Sequence, residues 1–184
     1  TTQPATRPSA MTATTAAQNP SSTASATQST AGETKAVTSS DEVLNSLKQV
    51  LGLNSGISLS YTQTVSGQRY PNEQYSVSVP ANNSCVVVAL EFELTNTTSS
   101  DITLNTASSN AVIKLGIEGT TFTKSKTILK NDMTNLKSVT IPAGQSYTAA
   151  AVFQIPEIFA QSLENTTLTV GSANAILGTM ELKK

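Results

Sequence analysis

Five sets of residues in this sequence carry side chains capable of chemistry. Glu91 and Glu93 stand two apart in an apolar run, the spacing that puts both carboxylates on one face of a strand. Paired carboxylates can hold calcium or act as acid and base. Calcium needs several oxygens at loop spacing, however, and no Asp-rich loop is present, so the pair reads as an exposed polar strand face, with Gln154 outward in the same way. Cys85 is the single cysteine, placed after Asn82–Asn83–Ser84. No His exists to activate it, so it reads as a partly covered, unreactive thiol. Lys124, Lys126, Lys130 and Lys137 cluster around Asp132, with Phe122 the one aromatic nearby. Nucleic-acid sites interleave such charge with stacking rings, so the cluster reads as a solvated loop, with an anionic glycan or wall polymer as its functional alternative. Ser125–Lys126 and the run Thr127–Lys130 match no serine–lysine enzyme pattern, and Lys114 has the outward parity that argues against a buried lysine crosslink. Finally, Asn82, Asn96 and Asn165 each begin an Asn-x-Ser/Thr sequon. These are unmodified turn residues in a bacterium and glycan acceptors on an archaeal surface.

Composition limits the rest. The chain of 184 residues has no His and no Trp, 12% charged residues and a formal net charge of −1. Absence of His removes the commonest general base and metal ligand, and one Cys removes an intrachain disulfide and a thiolate zinc site. No catalytic residue, no cofactor and no metal is expected. A near-neutral chain has no field to attract nucleic acid. No run of 18 apolar residues is present to span a membrane. The chain starts at Thr1, which reads as a processed form or a designed fragment whose anchor, if it had one, preceded that residue.

The elements that position these residues fall into three parts. Residues 1–40 hold 11 Thr, 7 Ser and 9 Ala with Pro4, Pro8 and Pro20, and among large apolar side chains only Met11 and Val37. Such a segment cannot bury enough surface to offset its backbone entropy, and it reads as a disordered tether or O-glycosylated stalk. Residues 41–52 read as a helix. Ser39 and Glu42 have capping-box spacing, Val43, Leu44, Leu47, Val50 and Leu51 form one stripe, and Gly52 suits the C-cap. The stripe is expected to dock on the domain that follows.

From Ile57 the period changes to 2, and residues 57–184 read as eight or nine strands. Expected strands include Ile57–Val65, Tyr75–Val79 and Val86–Leu94, the last with Val86, Val88, Leu90, Phe92 and Leu94 inward. Ile113–Ile117 and Thr120–Lys124 are joined by a Glu118–Gly119 hairpin turn, and Tyr147–Ile155 follows with Phe153 inward. Short helical turns fit only at Glu157–Glu164 and Asn131–Lys137. The fold class is therefore all-β, a two-sheet antiparallel sandwich with a short N-terminal helix.

Val86–Leu94 running into Thr95–Asn96–Thr97–Thr98, then Ile141–Pro142–Ala143–Gly144–Gln145–Ser146–Tyr147, then Val152–Phe153–Gln154–Ile155–Pro156–Glu157 resembles the immunoglobulin-like domain of bacterial secreted lipoproteins. That family is similar in fold to a secreted mycobacterial immunogenic protein. Similar modules occur in archaeal surface proteins. The resemblance spans roughly residues 75–172 and excludes the helix. It implies an immunoglobulin-like sandwich and an extracellular or cell-surface location, lipid-anchored through a removed N-terminal segment. A mature lipoprotein starts with a lipidated Cys, where this chain has Thr1. The family's molecular function is unassigned, so no site residue carries over.

The expected function is a non-enzymatic extracytoplasmic binding or adhesion module whose partner is a surface protein, a peptide or a glycan. It is expected to be a monomer, with a homo-oligomer left open. The alternative is a structural spacer or subunit of a surface assembly, in contact through the helix or a sheet edge.

Overall fold

The computed structural model describes residues 39–182 except 54, 72–76, 108, 125 and 130–135, with backbone alone at 126, 128 and 129. The tether reading falls on residues outside these, as do Tyr75 and most of the helical turn expected at Asn131–Lys137.

Helix α1 (Ser40–Leu51) begins with a complete capping box. The Glu42 amide donates to Ser39 Oγ, and the Glu42 carboxylate accepts from the Ser39 amide. It ends at Gly52, whose left-handed φ of 69° lets its amide turn back to the Gln49 carbonyl. Val43, Leu47 and Leu51 recur at four-residue intervals and are buried in the main core. The stripe thus docks on the chain's own β domain, against β1 (Ile57–Gly67) on one side and β11 (Thr166–Ser172) and β12 (Ala175–Leu182) on the other.

The remaining strands are β2 (Arg69–Tyr70), β3 (Val79–Pro80), β4 (Cys85–Asn96), β5 (Ile102–Asn105), β6 (Val112–Ile117), β7 (Thr120–Thr123), β8 (Lys126–Leu129), β9 (Ser138–Ile141) and β10 (Ser146–Pro156). They form two four-stranded antiparallel sheets, ordered β1-β4-β10-β8 and β12-β11-β6-β7, with the pairs β2-β3 and β5-β9 beside them. This is an all-β sandwich. Alternation supplies its inner layers. Val88, Leu90, Phe92 and Leu94 from β4 and Ala151, Phe153 and Ile155 from β10 meet Ile113, Leu115 and Ile117 from β6 and Leu168 and Val170 from β11. At the β6–β7 hairpin Glu118 and Gly119 both have positive φ, 47° and 77°, as a two-residue turn matched to strand twist requires. Glu157–Ser162 is a 3-10 helix, so that expected helical turn exists in its tighter form.

Three expectations need correction. Lys126–Leu129 is not loop. It is edge strand β8, paired with Val152–Ala149 of β10. Of the strand expected at Tyr75–Val79, Tyr75 and Ser76 lie outside the described residues, Val77 and Ser78 are not in a strand, with Val77 exposed, and pairing begins at Val79.

The third correction concerns the outer face of the first sheet. Glu91 is not on a solvated face and is 3% exposed. The β2–β3 ladder crosses this outer face, so that Tyr70 and Val79 pack on Val87, Ala89, Ala150 and Val152 in a second, smaller core. Parity put Glu91 outward correctly. What parity could not show was that the outward face has its own cover.

Candidate functional site

The two sheets differ in what covers them. The first is buried on both faces along the centre of β4 and β10. Beneath its cover Glu91 Oε1 accepts from the Tyr70 hydroxyl at 2.8 Å, and Oε2 accepts from Gln63 Nε2 at 2.9 Å. Gln154 is half-buried and works as a clip. Its Nε2 donates to the Pro80 carbonyl at 3.1 Å, and its Oε1 accepts from the Asn82 amide at 3.0 Å. Glu93, two residues on, is exposed, so the two carboxylates do not share a site. Buried polar groups that find partners hold structure together, and the Glu91 network fastens the β2–β3 ladder to β4.

The second sheet presents an outer face that no described strand covers. Its register aligns residues in rows across all four strands. One row runs Thr179, Thr169, Lys114, Thr123 and the next runs Glu181, Thr167, Gly116, Thr121. Neighbouring strands place the residues of a row about 4.8 Å apart, and successive rows lie about 6.8 Å apart along the strands. The Thr169 and Thr179 hydroxyls bond each other at 3.0 Å. A hydroxyl has one donor and two acceptor positions, so such a pair keeps capacity for a ligand.

Hollows lie at both ends of this face. One of about 400 Å3 is lined by Lys114, Thr169, Ser172, Asn174 and Ile176 among others. The opposite one, about 260 Å3, is lined by Glu164, Asn165, Thr167 and Glu181. A third hollow of about 350 Å3 meets the Lys114 end at Ser172 and is lined by Gln49, Gly52, Asn105, Ser109 and Asn110. Here the Ser109 hydroxyl donates to the Val50 carbonyl at 2.7 Å, which ties the β5–β6 loop to the end of α1. Gly171 shapes the β11–β12 turn at this junction. A Cβ there would run into the Ala175 carbonyl oxygen and lie 3.1 Å from Ile176 Cα. The turn exposes Ile176 and Leu177, 54% and 43% accessible, and Leu177 is skipped in the pairing of β12 with β11.

The residues singled out in the sequence are scattered. Cys85 is half-buried at the start of β4, with no thiol partner among the described residues. Lys124 is half-buried and Lys137 exposed; Lys130 and Asp132 lie outside the described residues, and nothing is described of the Lys126 side chain. Asn82 and Asn165 are exposed, but Asn96 is fully buried. Its Nδ2 donates to the carbonyls of Ser100 and Ile141, at 2.8 and 2.9 Å. Its Oδ1 accepts from the Thr98 amide and hydroxyl. Asn96 is thus the knot of the β4–β5 turn. Among the described residues no three His, Cys, Asp or Glu converge as metal ligands, and no helix is long and apolar enough to cross a membrane. The threonine rows escaped the sequence reading because no single strand contains a row; the register creates them.

No known family profile matches the chain, and no curated protein matches it. Among solved structures, the chain is similar to an uncharacterized beta-sandwich protein from Clostridium difficile, with a TM-score of 0.48 and 12% identity over 71% of this chain and 88% of that one. It is also similar to a conserved hypothetical protein from Bacillus anthracis, with a TM-score of 0.42 and 13% identity over 71% of this chain and 89% of that one.

Proposed function

We propose that this chain is a non-enzymatic, extracytoplasmic binding module, an immunoglobulin-like domain of a surface lipoprotein on a Ser/Thr/Ala tether, and that its ligand is a glycan chain. One observation carries the reading: the outer face of β12-β11-β6-β7, which no described strand covers, ranked with threonine hydroxyls and opening into hollows at both ends. Sugar hydroxyls both donate and accept, and so do the threonine hydroxyls and the side-chain amides of Gln49, Asn105 and Asn110 around the adjoining hollow. Lys114 is a single cation within the rows, suited to an occasional carboxylate or phosphate on the chain. Hollows of this size fall in or near the range that holds small ligands. The lineage of the fold and its location rest on the sequence resemblance and the composition of residues 1–40.

Nuclear magnetic resonance titration with chitin, cellulose and polygalacturonate oligosaccharides tests the reading. Expected shifts fall on Lys114, Thr167, Thr169 and Thr179 and vanish in the double variant Lys114→Ala/Thr169→Val. Shifts confined to the first sheet, or none with any of the three at millimolar sugar, overturn it.

A further inference from the structure

Each sheet of a sandwich ends in two strands whose outer backbone groups are unpaired, and natural proteins guard such edges by keeping them short, charged or bent. Three of the four edges here are guarded. Strands β7 and β8 have four residues each, with Lys126 in β8 and Lys124 just after β7. Strand β12 carries Glu181, is bent by the skipped Leu177, and has α1 packed on it. Strand β1 is bent too, by the register shift between Tyr61 and Gln63, and α1 packs on its first run, but it alone combines a long strand, 11 residues over Ile57–Gly67, with no charge and no proline. Typical strands have about five or six, and no described strand pairs with its second edge.

A register shift between Tyr61 and Gln63 divides β1 into two runs. Leu59 in the first run packs against the main core and lines the same internal hollow as Leu47 and Leu51 of α1. The second run, Gln63–Gly67, lies beyond the bulge. We propose that this run is a homodimer interface, in which a second copy adds its own β1 antiparallel across a two-fold axis at Val65 and joins the two first sheets into one.

Charge and symmetry select a second copy as the occupant. With no charge on the strand, two copies meet without repulsion, and an acidic or basic partner finds no counter-ion. A two-fold at Val65 sets Val65 against Val65, Thr64 against Ser66 and Gln63 against Gly67 of the other copy. The outcome is an apolar pair flanked by hydroxyl pairs, the combination that favours cross-strand neighbours. The outer face of the second sheet points away from this edge. The dimer would therefore display two glycan faces and raise avidity, yet its formation does not depend on the glycan reading.

Sedimentation equilibrium on the full chain, with amide hydrogen exchange read across a concentration series, decides. The expected result is a monomer–dimer equilibrium in which alternate amides of Gln63–Gly67 gain protection as concentration rises. The Ser66 side chain is exposed and makes no described hydrogen bond, so Ser66→Lys should leave the melting temperature of the monomer unchanged and weaken the dimer at least tenfold, while Ser66→Thr should retain it. A chain monomeric at all concentrations overturns the proposal. So does a dimer indifferent to Ser66→Lys. Amides of this run protected equally at every concentration also overturn it, since a segment of the same chain would then occupy the edge.

Discussion

The Tyr70 hydroxyl donates to Glu91 Oε1 at 2.8 Å, and this bond crosses from the β2–β3 ladder to the strand it covers. A hydrogen bond to a charged group contributes about 1.5–3 kcal/mol, and a buried donor left without its acceptor costs about 1–3 kcal/mol. Glu91→Ala strands the buried Tyr70 hydroxyl and leaves the exposed Gln63 amide to water, so it should lower stability by about 2 kcal/mol. Tyr70→Phe should lose less. Urea unfolding of the two variants gives the comparison; a loss at Glu91 within about 0.5 kcal/mol, as at an ordinary surface site, would show that the network contributes nothing.

Asn96 makes a parallel case in which a sequence motif and the structure disagree. Both protons of Nδ2 are held by backbone carbonyls, so the folded chain offers no acceptor nitrogen at this sequon. Asn96→Asp replaces the donor with an oxygen facing those carbonyls. It should cost about 3 kcal/mol or more by thermal or urea unfolding, while Asn82→Asp and Asn165→Asp, both exposed, should fall within about 0.5 kcal/mol.

Tyr61 is a titrating group that the fold perturbs. Burial raises its phenol above the ordinary tyrosine value, and the hydrogen bond with Thr64 Oγ1 at 2.7 Å partly offsets this. A phenol that holds its proton longer when folded contributes stability that is fully present below the unfolded value near 10 and is lost as pH rises through the folded value. Alkaline unfolding should therefore show a falling stability above about pH 10 that is shallower in Tyr61→Phe. Equal slopes would mean that Tyr61 ionises alike in both states.

The capping box, the Leu47 stripe, the inward phases of Phe92 and Phe153 and the Glu118–Gly119 turn were legible because each is a local pattern: a side chain's direction follows from its place in a period of 3.6 or 2. The cover on the first sheet was not legible. Arg69–Tyr70 and Val79–Pro80 are two residues each, too short to show a period, and they pair with each other before lying on β4. Strand β8 was missed for a similar reason: lysines at both ends of Thr127–Leu129 look like loop until β10 is known to lie beside them. The threonine rows belong to the register of four strands, which depends on how the strands are paired.

The β11–β12 turn links packing to the proposed site. Gly171 sits where the returning strand comes so close that a side chain has no room, with the Ala175 carbonyl and Ile176 Cα in the way. Both obstacles are backbone, so neither can swing aside, and Gly171→Ala must push the turn outward. Overpacking of this kind costs about 1–3 kcal/mol. The same shift should widen the hollow that Ser172, Asn174 and Ile176 border. Gly171→Ala should therefore lower the melting temperature and also weaken oligosaccharide binding beyond what the folded fraction explains. Ser172→Ala, which keeps the turn's geometry, should weaken binding with little change in melting. Binding that tracks only the folded fraction in both variants would separate the turn from the ligand and leave Gly171 a purely structural requirement of the hairpin.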